Sequence, residues 1–222
     1  MLDGHFFSFF GVQLIARPSG VLWWSDERVL CVSDLHLGKS DRLARRSGVL
    51  VPPYETIDTL QRLQKEIELL EPDIVICLGD NFDDLEAADS LSLADRLCLS
   101  QLQTGRMWIW IEGNHDLGVG KLTGQYLEEY NFEPLVFRHI AKVGAKAEIS
   151  GHYHPKAAVR LRSRSIVRPC FLYDERRVIL PSFGTFTGGL RSEAAEFDAL
   201  MENEAFAVLT GNKSYVIPMP RK

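Results

Sequence analysis

Three short apolar runs stop abruptly in polar clusters, and no other feature constrains the fold of this chain as much. Residues 29–33, 74–78 and 107–111 are built almost wholly from Val, Leu, Ile, Cys, Met and Trp. Runs of this length and composition read as short strands, and those at 74–78 and 107–111 as strands buried on both faces. They lead into Asp34-Leu35-His36, Gly79-Asp80-Asn81 and Gly113-Asn114-His115-Asp116. Strands covered on both faces belong to the middle of a sheet, and ligands of such sheets bind beyond the carboxyl ends of the strands. The polar clusters are therefore expected to share one rim.

The segments between these runs fill in the architecture. Residues 12–16 and 21–24, separated from each other and from 29–33 by turn-forming residues, predict an antiparallel start. Ile57, Leu60, Leu63, Ile67 and Leu70 recur at helical spacing after Pro52 and Pro53, and Pro72 closes the segment. A second helix is expected from Leu91, Ala94, Leu97 and Leu102. Residues 135–140, 148–150, 157–161, 166–173, 178–180, 205–209 and 214–217 read as strands with few helices between them. Alternating strands and helices followed by a strand-rich half predict an α/β fold, a two-sheet α/β/β/α sandwich, formed by residues 1–222 as a single domain. Trp23 and Trp24 are expected to pack within it.

Composition narrows the class. With 45% hydrophobic and 25% charged residues the chain is expected to be globular, and no apolar stretch approaches the ~18 residues of a membrane span. The run around Phe6 to Phe10 lacks a basic leader and a cleavage site, so a cytoplasmic location is expected. Cys31 and Cys77 lie inside strand-like runs and no C-x-x-C pair occurs, which fits reduced structural thiols. Thirty acidic against 25 basic residues give a net charge of -5, which excludes binding of nucleic acid by bulk charge alone.

A fourth cluster, Gly151-His152-Tyr153-His154, also follows a strand-like run, and His139 is expected on the strand before it, 135–140. Five of the six histidines fall in these groups. Carboxylates, imidazoles and an amide suit hard-to-borderline divalent cations, and a two-metal hydrolase needs enough such donors to hold ions ~3.5–4 Å apart. Asp34 and His36, two residues apart on an extended strand, would point to one side, as would His152 and His154. The glycines at 79, 113 and 151 let each following side chain stand at the strand mouth.

The order D-x-H, G-D-x-x-D, G-N-H-D, an isolated His and G-H-x-H resembles that of the calcineurin-like metallophosphoesterases. Within them the chain is similar to the PdeM-type, ligase-associated DNA damage response endonucleases. The residues carrying the closer resemblance are Leu37-Gly38-Lys39-Ser40, Val51-Pro52-Pro53, Arg168-Pro169-Cys170-Phe171, Leu180 to Gly184 and Thr187-Gly188-Gly189. The resemblance implies a two-metal phosphodiesterase acting on DNA. One ion would be held by Asp34, His36, Asp80 and His154 and the other by Asp80, Asn114, His139 and His152, with Asp80 bridging. His115 would serve as general acid or transition-state stabiliser, oriented by Asp116, and Asp83 would support the site from behind. Manganese is the expected metal, with iron, zinc and cobalt compatible with the same donors. A DNA ligase and a helicase are the partners the resemblance implies.

Basic residues extend the reading. Lys39, Arg42, Arg45 and Arg46 follow the first cluster and are candidates to clamp a phosphate backbone. Arg160, Arg162 and Arg164 alternate along a strand-like run, so all three are expected on one face as a second track. Two rival functions share the motifs: a phosphodiesterase for a lipid precursor such as UDP-diacylglucosamine, and an inactive scaffold. The polar stretch 117–130 argues against the apolar lid of the first, and the complete donor set against the second.

Overall fold

The computed structural model describes residues 2–40, 42–43, 54–114, 122–161 and 164–221. His115, Asp116, Arg45, Arg46 and Arg162 lie outside the described residues. The first sheet contains β1 (His5–Phe9), β2 (Val12–Ala16), β3 (Leu22–Trp24), β4 (Val29–Val32), β5 (Ile74–Leu78), β6 (Met107–Ile111) and β7 (Gln125–Leu127), in chain order across the sheet. The pairs from β1 to β4 are antiparallel and those from β4 to β7 parallel. Parallel neighbours need crossovers, and these carry α1 (Glu55–Leu70) and then α2 (Leu85–Ser90) with α3 (Leu93–Gln103).

The second sheet is formed by β8 (Glu129–Phe132), β9 (Leu135–Arg138), β10 (Glu148–Ser150), β11 (Lys156–Leu161), β12 (Arg164–Tyr173), β13 (Arg177–Ile179), β14 (Phe206–Leu209) and β15 (Tyr215–Pro218). Its order is β15-β14-β12-β13-β10-β9-β8. The first six residues of β12 pair with β11 as a hairpin and the last four pair with β14. The hairpin thus leads away from the main sheet.

Period-two alternation explains how the layers join. On β5, Ile76 and Leu78 face the second sheet and meet Phe137, Ile149, Phe171 and Val178, while Val75 and Cys77 face the helices. Leu60, Leu63, Ile67 and Leu70 of α1 cover that outer face, each burial contributing roughly 1.5–3 kcal/mol. Glu71, left-handed at φ 47°, returns its N–H to Ile67 O, and Pro72 prevents continuation. The outer face of the second sheet is covered more thinly. Phe197 of the four-residue α4 (Ala195–Asp198), with Leu200 and Met201, packs on Cys170, Leu172 and Ala207. All four cysteines are free, and no helix among the described residues is long and apolar enough to cross a membrane.

Some expectations needed correction. The predicted second helix is two, because the chain restarts at Ser92, whose Oγ accepts from Asp95 N–H. The restart resets the helical phase, so Leu99 and Leu102 are buried while Leu97 is exposed. The apolar N-terminus is β1, and 125–132 contribute the edge strands β7 and β8 where no strand was expected. The arginine stripe is also split. Arg160 belongs to β11, where the register pairs it with Ser165, whereas Arg164 opens β12 and pairs with Leu161, so the two are not successive positions of one strand. Alternation holds only within one strand, and these positions belong to two.

Candidate metal centre

Beyond their last residues β4 and β5 keep exchanging hydrogen bonds. Asp34 N–H donates to Gly79 O (3.2 Å), His36 N–H to Asp80 O (2.9 Å) and Leu37 N–H to Asn81 O (2.9 Å). The loops carrying Asp34, His36 and Asp80 therefore run side by side. All three residues are left-handed, with φ of 53°, 47° and 45°. Such values are uncommon away from glycine and tend to cluster at functional sites.

This geometry corrects the strand argument. β4 ends at Val32, and Asp34 and His36 converge through these turns rather than through an extended strand. His152 (φ 70°) and His154 (φ 45°) turn likewise but do not stay together: each joins a different group. His139 follows the end of β9 rather than lying on it. Two glycines are required by contact. A Cβ on Gly113 would overlap the Asp80 backbone nitrogen, and one on Gly151 would overlap Ser33 Oγ.

The donors form two triads. In Asp34, His36 and His154, and again in Asp80, His139 and His152, ligand-capable atoms all lie within 4.8 Å of one another. Asp34 Oδ1 is 3.1 Å from His154 Nε2, which is 3.4 Å from His36 Nε2. In the second triad His139 Nε2 is 3.5 Å from Asp80 Oδ2 and 3.2 Å from His152 Nδ1. The Asn114 amide stands 3.4 Å from His152 Nδ1. The triads adjoin, for Asp34 Oδ2 accepts the His152 backbone N–H at 3.0 Å.

Whether these residues fit cations is decided by what lies behind them. His36 Nδ1 is 2.9 Å from Asp83 Oδ1, and His139 Nδ1 is 2.7 Å from Leu78 O. Both partners accept, so each ring donates from Nδ1 and turns Nε2 to the centre, the usual orientation of a metal-binding histidine. Asp34 Oδ1 is buried without a well-formed hydrogen bond. An unsatisfied buried carboxylate oxygen and converging imidazole nitrogens are costly alone and fit a divalent ion well.

The charges agree. Burial opposes ionisation of His139, but Asp80 and Asp34 outweigh it and push its pKa up to about 9. Burial also disfavours the Asp34 carboxylate, yet His154, His139 and Ser33 together hold its pKa below the usual value. For His152, burial and the charge of His139 hold the pKa down. The carboxylates thus attract positive charge to this rim.

Asp83 is the supporting residue that sequence reasoning resolved least. It is buried, and despite that burial His36, Arg42 and Lys39 keep its pKa low. Arg42 Nε contacts Asp83 Oδ2, and Lys39 Nζ lies 3.8 Å from Oδ1. Two of the cations expected to meet phosphate are therefore engaged with a buried carboxylate. Its neighbours are tied in as well: Asn81 Nδ2 donates to Ile111 O, Phe82 fills the core and Asp84 caps α2.

The fold as a whole is found in a solved structure. The Pseudomonas putida nuclease MPE has a solved structure that superposes with a TM-score of 0.79 at 26% identity, covering 97% of this chain and 100% of that one. An Arabidopsis thaliana protein named probable inactive purple acid phosphatase 14 is 32% identical over 92 residues, 40% of this chain but only 23% of its own length. This chain thus spans under a quarter of that relative. Residues 27–165 match the calcineurin-like phosphoesterase family over well more than half of the sequence, and together with the fold this shows that the chain belongs to that family.

Proposed function

We propose that this protein hydrolyses phosphodiester bonds in DNA with two divalent cations, manganese foremost, held side by side. The observation that carries the reading is the pair of adjoining triads with their Nδ1 atoms tied back. The likeness to a nuclease over nearly the whole chain supports the choice of substrate. Asp34, His36, Asp80 and His154 would hold one ion, and Asp80, Asn114, His139 and His152 the other. When bound, such ions supply a water of lowered pKa as nucleophile and positive charge for the phosphoryl oxygens.

The chain's own groups do the rest. Asp83 and the Leu78 carbonyl fix the tautomers of His36 and His139. His115 is assigned as general acid or transition-state stabiliser and Asp116 as its orienting partner. Arg45 and Arg46 remain candidates for phosphate contacts, and so do Lys39 and Arg42 where Asp83 leaves them free to reach it. A place in DNA repair beside a ligase and a helicase belongs to the same proposal and follows from the family resemblance, and a cytoplasmic location follows from the sequence around Phe6 to Phe10.

The test is hydrolysis with added Mn on bis(p-nitrophenyl) phosphate, single- and double-stranded DNA, and UDP-diacylglucosamine. Cleavage of the small diester and of DNA is expected. Turnover of UDP-diacylglucosamine alone would replace the substrate, and no turnover by fully loaded protein would leave a scaffold.

A further inference from the structure

Between the β11–β12 hairpin and the β14–β15 edge lies a groove of about 520 Å³ that the chemistry above does not use. Val159, Ile166 and Leu209 contribute an apolar floor, and Arg168, Lys213 and Tyr215 line it as well. Tyr215 is 62% exposed. Among the described residues neither Arg168 nor Lys213 has an ion-pair partner, and no carboxylate lines the groove. In a chain with 30 acidic and 25 basic residues this is a local reversal of sign, and it selects an anionic ligand.

We infer that the groove binds a single-stranded segment of the nucleic-acid substrate, a few nucleotides from the bond that is cut. This rests on the phosphodiesterase reading and adds where the strand runs. A single strand offers phosphates to cations and base faces to aromatic and apolar surface, and this groove provides both. A duplex keeps its base faces stacked and presents mainly phosphate and sugar, which would leave the apolar floor and Tyr215 without a partner.

The placement follows from the register. Arg168 sits opposite Ala157, which is three residues beyond His154, so Arg168 and His154 are separated by at most ~11 Å of extended chain plus one step of ~5 Å between paired strands. Cys170 N–H donates to Pro155 O at 2.9 Å and fastens β12 to the segment that carries His154. Ile166 and Arg168, two residues apart on β12, share one strand face and both line the groove, which therefore leads away from the segment that carries His154.

The experiment uses the Mn-loaded full chain with labelled single strands of increasing length, matched duplexes and bis(p-nitrophenyl) phosphate. The variants are Arg168→Ala/Lys213→Ala, Tyr215→Ala and Tyr215→Trp. Wild-type affinity is expected to rise with strand length and then level off. The double variant should lose most of that rise, and its slope of log affinity against log salt should shrink by about 1.4. Tyr215→Ala should weaken single-strand binding about tenfold while Tyr215→Trp retains it. Hydrolysis of the small diester stays at the wild-type rate and reports that each variant is folded. Equal length dependence and salt slope in variants and wild type would overturn the groove alone, as would a larger loss on duplex than on single strand. If wild type turns over the small diester but binds no strand of either kind, the DNA reading falls and the groove inference with it.

Discussion

The two triads present similar donors to the rim and are held from behind by different means. His36 is fixed by the side chain of Asp83, which is itself held by Arg42 and Lys39. His139 is fixed by a main-chain carbonyl, that of Leu78 at the end of β5. The first arrangement depends on groups that substitution can delete one by one. The second depends on a strand whose position is set by ladders to β4 and β6. Geometry at the first triad should therefore be tunable by single mutations behind it, whereas the second should yield only to changes in its own donors.

The largest effect is expected at the residue assigned to both ions. Asp80→Ala should abolish hydrolysis and reduce metal content to one ion per chain or fewer, measured by elemental analysis of the purified protein. Loss of the second ion alone would make Asp80 a ligand of the second triad only, the group in which the geometry places it. Retained activity with two ions would remove the assignment. Next comes Asp83→Asn, which keeps the size of the side chain but no longer offers His36 a carboxylate. Affinity at the first site should fall about 10–100-fold, the usual cost of losing such support, with the second site unchanged. A titration showing both sites equally weakened would erase the contrast between the triads.

How much of this was legible follows the same division. Strands β5 and β6 and the donors after them could be read because a buried parallel strand has a continuous apolar signature and ends where polarity begins. The edge strands β7 and β8 have half-exposed residues and no such signature, and β1 alternates in burial, but its exposed Phe6 hides the alternation in the sequence. The identities of the site residues were legible, but their backbone was not. Left-handed turns at Asp34, His36 and Asp80 are imposed by the pairing of two loops distant in sequence. The same holds for the Asp83 contacts and for the Leu78 carbonyl, which carries no side-chain signal at all.

The second triad can be tested through its protons. The pKa of His139 is raised to about 9, so at neutral pH the metal-free protein carries a proton there that an incoming ion must displace. Affinity of the second site should rise roughly tenfold per pH unit between about 7 and 9 and then flatten. Calorimetry in buffers of different ionisation heat should report about one proton released. The metal-free fold should respond in the opposite sense. A raised folded-state pKa stabilises fully below the unfolded value, near 6.5, and that contribution is lost as pH climbs through about 9. A pH-independent second-site affinity over this range would mean that His139 is not a ligand.

Lys39→Ala should have the smallest effect, and it separates two roles that the sequence allowed. Its ammonium lies 3.8 Å from Asp83 Oδ1, whereas Arg42 makes the closer contact with the other oxygen. Arg42 alone can keep most of the charge compensation, and the Lys39 side chain is largely covered, at 16% exposure. If Lys39 serves Asp83, its removal should weaken the first ion only about threefold, less than Asp83→Asn. It should also move the acid limit of first-site binding slightly upward, because the Asp83 carboxylate loses one of the cations that keep its pKa low. KM for DNA should then follow metal occupancy and return to wild type at saturating Mn. If instead Lys39 clamps phosphate, metal affinity should stay constant while KM for DNA rises at every Mn concentration. In that case the cation would belong to the substrate rather than to the support of the first triad, and the asymmetry between the triads would rest on Asp83 and Arg42 alone.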